Sequence, residues 1–310
     1  MTMVLFLTCS MDQTSDLVMG QLGSLPIFRF NLDLWQNYRW SVTSEGYRLQ
    51  DPTGRTCCSD AVKAVYLRKL FFNPPRIDQP ADGSEETWCR EEVMQIWQGI
   101  HDLAQHQGKL ALVKPSPFGR WTKVRQMVAA KQYFRVPAWE MFHGGGFHPL
   151  HPAVVKTQGT QPPGGGGMVM VREVEVEQLS PAFPWFVQQQ VTLATHDVTV
   201  VYINGKIFAF ECRRDQFSGL DCRIPTATGA ARWQRCRLSE TDEKALHNYM
   251  RMTGHIFGRL DFLRDQEGLW FLELNPNGQF AWLDPEGTEG VLKAVATEIL
   301  AVYHGGGPNS

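Results

Sequence analysis

The sequence lacks several features that would assign it to a class at once. None of its apolar runs approaches the roughly 18 residues of a membrane-spanning helix, and no basic residue precedes the apolar start at 1–8, as one would in a secretory signal peptide. Neither sign of charge is in excess, with 30 Lys and Arg against 32 Asp and Glu. We therefore expect a cytoplasmic protein that binds neither nucleic acid nor a membrane surface.

Two kinds of nucleotide-binding motif are also missing. The chain of 310 residues has no G-x-x-x-x-G-K-[ST] phosphate loop and no G-x-G-x-x-G between a strand and a helix. Its seven cysteines form no C-x-x-C pair, and their odd number without a secretory signal favours reduced thiols. The missing motifs exclude a P-loop nucleotide site and a Rossmann dinucleotide site. The cysteine pattern singles out no cysteine as a nucleophile.

Glycine is plentiful, at 28 of 310 residues, and its position is informative. A run at 164–167 lies between the predicted strands Val154–Lys156 and Met168–Val171, which indicates a hairpin with a glycine-rich tip. A second run at 144–146 lies among three histidines within 143–151. We favour solvated imidazoles there over a metal site, because Gly and Pro spacing does not preset a ligand geometry.

The pattern of apolar residues predicts a mixed α/β and α+β protein. Strand, helix and strand at 3–7, 16–22 and 27–30 indicate a parallel pair, followed by a meander of short strands at 40–56. Further strands are predicted at 64–68, 186–193, 198–203 and 206–212, the last two joined by an Asn-Gly turn, and helices at 84–108, 122–132 and 239–254. We expect divisions at 1–108, 109–186 and 187–310.

The most informative segment is a pair of strands near the end of the chain, Phe257–Leu263 and Leu269–Asn275. Side chains two apart share a face of a strand, so Glu273 and Asn275 point together, and Leu272 and Leu274 point away. If Asp261 lies opposite Glu273, paired residue numbers sum to 534 and Arg264 faces Trp270. Two carboxylates and an amide oxygen suit Mg²⁺; the alternative is an ordinary hairpin whose charges face water.

These residues carry a family resemblance. Asp261 followed by Glu273-Leu274-Asn275-Pro276-Asn277-Gly278-Gln279 resembles the metal signature of the ATP-grasp superfamily. The segment FLELNPNGQFAWLD is similar to its graspetide (microviridin-type) macrocyclases, which modify ribosomally synthesised peptides (RiPPs). The start of the chain, AVYLRK at 64–69 and DCR at 221–223 resemble elements of the same subgroup. The resemblance implies the ATP-grasp fold preceded by an N-terminal α/β pre-ATP-grasp domain.

The resemblance also implies roles for individual residues. Asp261, Glu273 and Asn275 would bind Mg²⁺ bridging the ATP phosphates, and Arg223 and Arg68 would act beside the carboxylate being activated. The remaining ATP-binding positions would be Lys123, Lys156, Gly164, Gly165, Gly166, Gln189, Gln190 and Arg213. The chain departs from the family at Thr199, where an Arg is usual; one phosphate contact would then be missing, or would be supplied by Arg213 or Arg214. Lys69 likewise stands where a second Arg is common.

The implied activity is an ATP-dependent ligase. It would phosphorylate Asp or Glu side chains of a precursor peptide, made of a leader and a core, and join them to Ser, Thr or Lys. Two alternatives stay open: a ligase that adds an amino acid to a peptide or small acid, and a nucleotide-binding module without turnover, which Thr199 motivates. A homodimer is expected from the family alone.

Overall fold

The computed structural model describes residues 1–68, 83–112, 121–144, 150–156, 171–217, 219–220 and 232–305. The chain divides into two compact units. The first combines Met1–Lys114 with Asn277–Ser310, and the second is Pro115–Pro276. Both ends of the chain therefore belong to one unit, and the finer divisions expected at 108 and 186 stay predictions.

The first unit is built on a parallel sheet. Strand β1 (Met3–Thr8) lies between β2 (Ile27–Asn31) and β6 (Val62–Leu67), and helix α1 (Gln13–Gly20) connects β1 to β2. The central strand is buried on both faces, which explains its unbroken apolar run. The predicted parallel pair is confirmed, although the helix begins and ends before the predicted 16–22.

A separate antiparallel meander follows β2 in the first unit. It consists of β3 (Arg39–Thr43), β4 (Gly46–Gln50) and β5 (Thr56–Cys58), as the spacing of turn residues predicts. Helix α2 (Gly83–His106) packs on β3, β4 and β6, with Trp97 and Ile100 in the core. The C-terminal helix α5 (Val291–Tyr303) packs on β6 and α1.

The second unit begins with helix α3 (Lys123–Ala130) and a small sheet. Its strands are β7 (Trp139–Phe142), β8 (Ala153–Lys156), β9 (Arg172–Val174) and β10 (Trp185–Gln189), in the order β7-β10-β8-β9. Strands β8 and β9 form the predicted antiparallel hairpin, but β9 begins beyond the predicted 168–171, of which 168–170 lie outside the described residues. Strand β10 ends before the predicted Leu193 because a turn follows Gln190.

A larger antiparallel sheet completes the second unit. It contains β11 (His196–Ile203), β12 (Lys206–Arg213), β13 (Gln234–Arg235), β14 (Phe257–Asp265) and β15 (Gly268–Asn275), in the order β13-β12-β11-β14-β15. The predicted Asn204-Gly205 turn is confirmed, since both residues have positive φ, +43° and +83°. Helix α4 (Glu240–Thr253) is capped by Ser239 and, together with α3, covers one face of this sheet.

Within the described ranges no helix is both long and apolar enough to cross a membrane.

Candidate functional site

The hairpin of β14 and β15 places the predicted acidic residues side by side. Asp261 lies directly opposite Glu273, and Arg259 lies opposite Asn275, so the predicted sum of 534 holds at this end of the hairpin. Beyond Asp261 a β-bulge shifts the register by one residue. Arg264 therefore faces Leu269, and the prediction that it faces Trp270 was wrong.

The bulge also changes which side chains face the core. Phe271 and Leu274 are both buried in the core although they are three residues apart, because the extra residue restarts the alternation of β15. Leu272 instead lines a pocket beside Lys156. The prediction for Leu274 is confirmed, and the prediction that Leu272 points away from the site was wrong.

Asp261 is held by two donors from neighbouring positions of the sheet. The hydroxyl of Thr199, its register partner on β11, donates to Oδ1 over 2.7 Å. The guanidinium of Arg259, two residues earlier on the same face of β14, donates to Oδ2 over 2.8 Å. The threonine that departs from the family pattern is thus a hydrogen-bond partner of a predicted metal ligand.

Two lysines converge on the same carboxylates. Lys123, in the first turn of α3, lies with Nζ 3.4 Å from Oε2 of Glu273. Burial of Lys156, at the end of β8, lowers its pKa to about 8, while the charges of Glu273 and Asp261 act in the opposite direction. The cluster thus combines two carboxylates and two lysines.

An open pocket adjoins Lys156. Its walls are partly apolar, with Val154, Leu263 and Leu272, and its polar rim includes the end of β10. The described lining residues are Pro137, Val154, Lys156, Val171, Gln188, Gln189, Gln190, Val191, Asp197, Arg214, Leu220, Leu263 and Leu272. The structure therefore brings Gln189 and Gln190 into one pocket with Lys156, and their part in ATP binding stays a prediction.

The two candidate arginines at the end of β12 point differently. Arg213 faces His196 across the ladder, on the side of the sheet opposite Cys212, and forms an exposed ion pair with Asp215. Arg214 lines the pocket and donates to Asp197 over 3.0 Å. The geometry favours Arg214 over Arg213 as the basic residue of this pocket.

Of the remaining predicted residues, one group is not described and one residue belongs to the first unit. Arg223 and the glycines Gly164, Gly165 and Gly166 are outside the described residues. Arg68 belongs to the first unit, where it is 1% exposed and donates to Asp12 over 3.3 Å and to the carbonyl of Gly278 over 2.9 Å. Its guanidinium also lies 4.9 Å from the ring centre of Phe280.

Gln126 is a residue of the site that the sequence analysis missed. Its side-chain oxygen accepts from the backbone N–H of Leu274 over 2.8 Å, between Glu273 and Asn275, and its amide donates to the carbonyl of Trp121. Gln126 lies three residues after Lys123 on α3, a spacing that puts both side chains on one face of the helix. This spacing from Lys123 was the feature of the sequence that could have identified Gln126.

The donor set fits a hard cation. Asp261, Glu273 and Asn275 offer oxygen ligands from paired positions of two neighbouring strands, and Mg²⁺ completes such partial sets with phosphate oxygens and water. In the described part of the chain no three or more His, Cys, Asp or Glu side chains form a metal-binding group by themselves. The site thus has two carboxylates and an amide, with Arg259 and Lys123 offsetting the acidic charge.

Comparison with known proteins identifies the fold. No family model matches the chain, and no curated protein matches it. Among solved structures, the macrocyclase MdnC bound with precursor peptide MdnA, from Microcystis aeruginosa MRC, is similar over 97% of this chain and 99% of its own, with TM-score 0.75 and 20% identity. The chain thus has the ATP-grasp fold, and the predicted resemblance is confirmed at this level.

Two further structures carry the same likeness. One is a RiPP-associated ATP-grasp ligase from Chryseobacterium gregarium in complex with ADP and a leader and core peptide, with 18% identity, TM-score 0.76 and 97% of each chain covered. The other is the ATP-grasp ligase PsnB complexed with minimal precursor, Mg and ADP, with 17% identity, TM-score 0.69 and 97% of each chain covered. At these identities the likeness establishes the fold.

Proposed function

We propose that this chain is an ATP-dependent ligase that activates Asp or Glu side chains of a ribosomal precursor peptide and joins them to Ser, Thr or Lys side chains. The observation that carries the proposal is the cluster in the second unit: Asp261 opposite Glu273, with Lys123 and Lys156 around them. The full-length likeness to ligases whose structures hold precursor peptides and ADP supports it.

The pocket beside Lys156 is the proposed nucleotide site. Its apolar walls, which include Val154 and Leu272, suit a flat base, and Gln189 and Gln190 offer polar groups at its rim. Lys156 and Lys123 would bind the phosphates. We also propose that the backbone N–H groups of the glycine run at 164–166 donate hydrogen bonds to those phosphates.

Magnesium would be held by Asp261, Glu273 and Asn275. When bound, it would offset negative charge on the phosphates. Gln126 accepts a hydrogen bond from the backbone N–H of Leu274 and so holds the strand in place between Glu273 and Asn275. This contact helps to position both side chains. Thr199 and Arg259 orient the carboxylate of Asp261.

The proposed reaction has two balanced steps. A peptide carboxylate oxygen attacks the γ-phosphorus of ATP, the bond to the β–γ bridging oxygen breaks, and an acyl phosphate and ADP form. A hydroxyl or amine then attacks the acyl carbon, phosphate leaves, and the attacking group loses its proton. Each ester or amide link removes the mass of one water from the peptide. The chain's contribution is positioning and charge, and the proposal places Arg223 beside the reacting carboxylate.

Mass spectrometry tests the proposal. The substrate is the peptide from a reading frame beside the gene, recognised by repeated Thr or Ser and Asp or Glu near its end. With ATP and Mg²⁺ we expect the loss of one water per link. A gain of an amino-acid mass would indicate the alternative ligase, and no mass change with ATP-induced thermal stabilisation would indicate a binding module.

A matched pair of variants locates the chemistry. Glu273→Gln should abolish turnover with the fold intact, while Glu267→Gln, in the exposed turn of the same hairpin, should keep it. Full activity of Glu273→Gln would overturn the metal assignment. The proposal also includes a cytoplasmic homodimer, which the mass of the particle in solution checks in part.

A further inference from the structure

The face of the larger sheet that carries Asp261 extends to the opposite edge of that sheet. Residues directly opposed in an antiparallel ladder share a face. Asp261 is paired with Thr199, Thr199 with Phe210, and Phe210 with Arg235 on the edge strand β13. One row of side chains therefore runs across four strands from the proposed metal site to Arg235.

Arg235 is held in a defined orientation at the end of this row. Its guanidinium carbon lies 4.8 Å from the ring centre of Phe208 and 5.0 Å from that of Phe210. Phe210 is buried, so it forms a fixed support, whereas Arg235 is exposed. Stacking of this kind constrains the guanidinium plane and leaves its N–H edge available to an acceptor.

No acceptor occupies that edge among the described residues. The guanidinium of Arg235 contacts the two aromatic rings, and it takes part in no ion pair in the described ranges. Other arginines of the same sheet are paired: Arg264 with Glu211, Arg259 with Asp261 and Arg214 with Asp197. Arg235 is thus a cation in a fixed orientation that no acidic residue of the described ranges neutralises.

The distance from the metal site excludes a direct part in nucleotide binding. Three steps between neighbouring strands amount to roughly 14 Å, and Arg235 does not line the pocket beside Lys156. A peptide bound at Asp261 in extended form would span the straight line with about four residues, at roughly 3.4 Å each, but Thr199 and Phe210 on that line are buried, at 2% exposed each. A peptide that reaches both Arg235 and the reaction centre must therefore pass around this row and be longer than about four residues.

We infer that Arg235 is a binding subsite for a carboxylate side chain of the substrate peptide, at a position that does not itself react. The inference rests on the proposed function for the identity of the ligand as an acidic peptide. A planar guanidinium binds a carboxylate through two parallel hydrogen bonds, which fixes position as well as charge. Such a contact sets which acidic residue reaches the reaction centre.

The test measures peptide binding apart from turnover. The probe is a fluorescein-labelled peptide of alternating Glu and Gly, titrated with the full chain in saturating MgADP and read by fluorescence anisotropy. Arg235→Gln should weaken binding roughly tenfold, the lower end of the range of a hydrogen bond to a charged group. Arg235→Lys should fall between, because it keeps the charge and loses the planar fork.

The control is Arg251→Gln, the same loss of charge on the last turn of α4, which covers the opposite face of the sheet. Arg251→Gln should bind the Glu peptide as the parent chain does, and the Gln–Gly counterpart peptide should not distinguish Arg235→Gln from the parent. Equal binding by Arg235→Gln and the parent, equal loss in both variants, or no binding of the Glu peptide would overturn the inference. Turnover is measured separately by mass spectrometry. If the chain shows no turnover but Arg235→Gln still weakens peptide binding, the proposed function fails and the inference about Arg235 stands.

Discussion

The molecule contains two clusters of opposite charges with very different surroundings. In the first unit, Arg68 and Asp12 are 1% and 0% exposed, and the second oxygen of Asp12 accepts from Thr8 over 2.8 Å and from Ser15 over 2.6 Å. In the second unit, the side chains of Lys123 and Glu273 are 27% and 32% exposed and lie 3.4 Å apart. One pair is sealed in the protein, and the other is open to solvent.

The difference in surroundings separates two uses of charge. Each buried ion has lost its hydration, so the remaining partner of a broken pair is left without compensation. A pair that is about a third exposed keeps much of its hydration and contributes little to stability, which leaves its members able to exchange partners. The open cluster is therefore suited to receive phosphates and a cation, whereas Arg68 and Asp12 stabilise the first unit whatever further role Arg68 has.

Breaking the buried pair should have the largest effect. Arg68→Leu leaves the Asp12 carboxylate buried without its cation, and we expect the free energy of unfolding to fall by about 3–5 kcal/mol. Urea unfolding followed by circular dichroism measures this. Arg213→Leu, which removes an exposed ion pair with Asp215, is the control and should change stability by less than about 1 kcal/mol. Equal losses in the two variants would show that burial of Arg68 does not matter.

Removing Gln126 should have the next largest effect. Gln126→Leu keeps the side-chain bulk but leaves the buried N–H of Leu274 without an acceptor, at a cost of about 1–3 kcal/mol. Because that N–H lies between Glu273 and Asn275, we also expect the affinity for Mn²⁺ with ADP, measured by electron paramagnetic resonance, to fall. Gln126→Glu keeps an acceptor oxygen and should restore much of the stability. Unchanged Mn²⁺ affinity in Gln126→Leu would limit Gln126 to a role in folding.

The sequence was sufficient to place the acidic residues but not to find the bulge between them. Alternation predicts which face each carboxylate occupies, and the direct pairing of Asp261 with Glu273 was the condition on which the predicted register rested. The run Leu269–Leu274 is apolar at five of six positions, so it fits a straight or a bulged strand equally well. The direction of Leu272 therefore follows from the packing of its neighbours Phe271 and Leu274 into the core beneath α3 and α4, which sequence periodicity does not contain.

Contacts across the second unit were beyond the sequence for the same reason. The alternation of β12 was available, yet choosing between Arg213 and Arg214 required knowing where the strand ends and which face the pocket occupies. The pKa of Lys156 likewise depends on its burial and on the charges of residues distant in the chain, including Glu273 and Asp197. Local patterns predicted the strands and turns; the electrostatic environment of the site came from the assembled sheets.

Lys156 gives the open cluster a predicted pH dependence. In the folded chain its pKa is lowered to about 8 by burial, so the side chain is charged below that pH and neutral above it. The affinity for MgADP should fall roughly tenfold between pH 7.5 and 9, because each pKa unit corresponds to a factor of ten. Isothermal titration calorimetry across this range measures the effect. Lys156→Arg keeps its charge, so its affinity for MgADP should change little with pH. If that affinity falls as steeply with pH as in the parent chain, the dependence belongs to another group.

The smallest effect on stability is expected at Lys123. Its ion pair with Glu273 is about a third exposed on each side, so Lys123→Met should change the free energy of unfolding by less than about 1 kcal/mol. The same variant should weaken MgADP binding, because the proposed phosphate contact is lost. Urea unfolding and calorimetry on one preparation separate the two quantities. A loss of several kcal/mol in stability with unchanged nucleotide affinity would reverse the comparison and make this pair, like Arg68 and Asp12, a structural one.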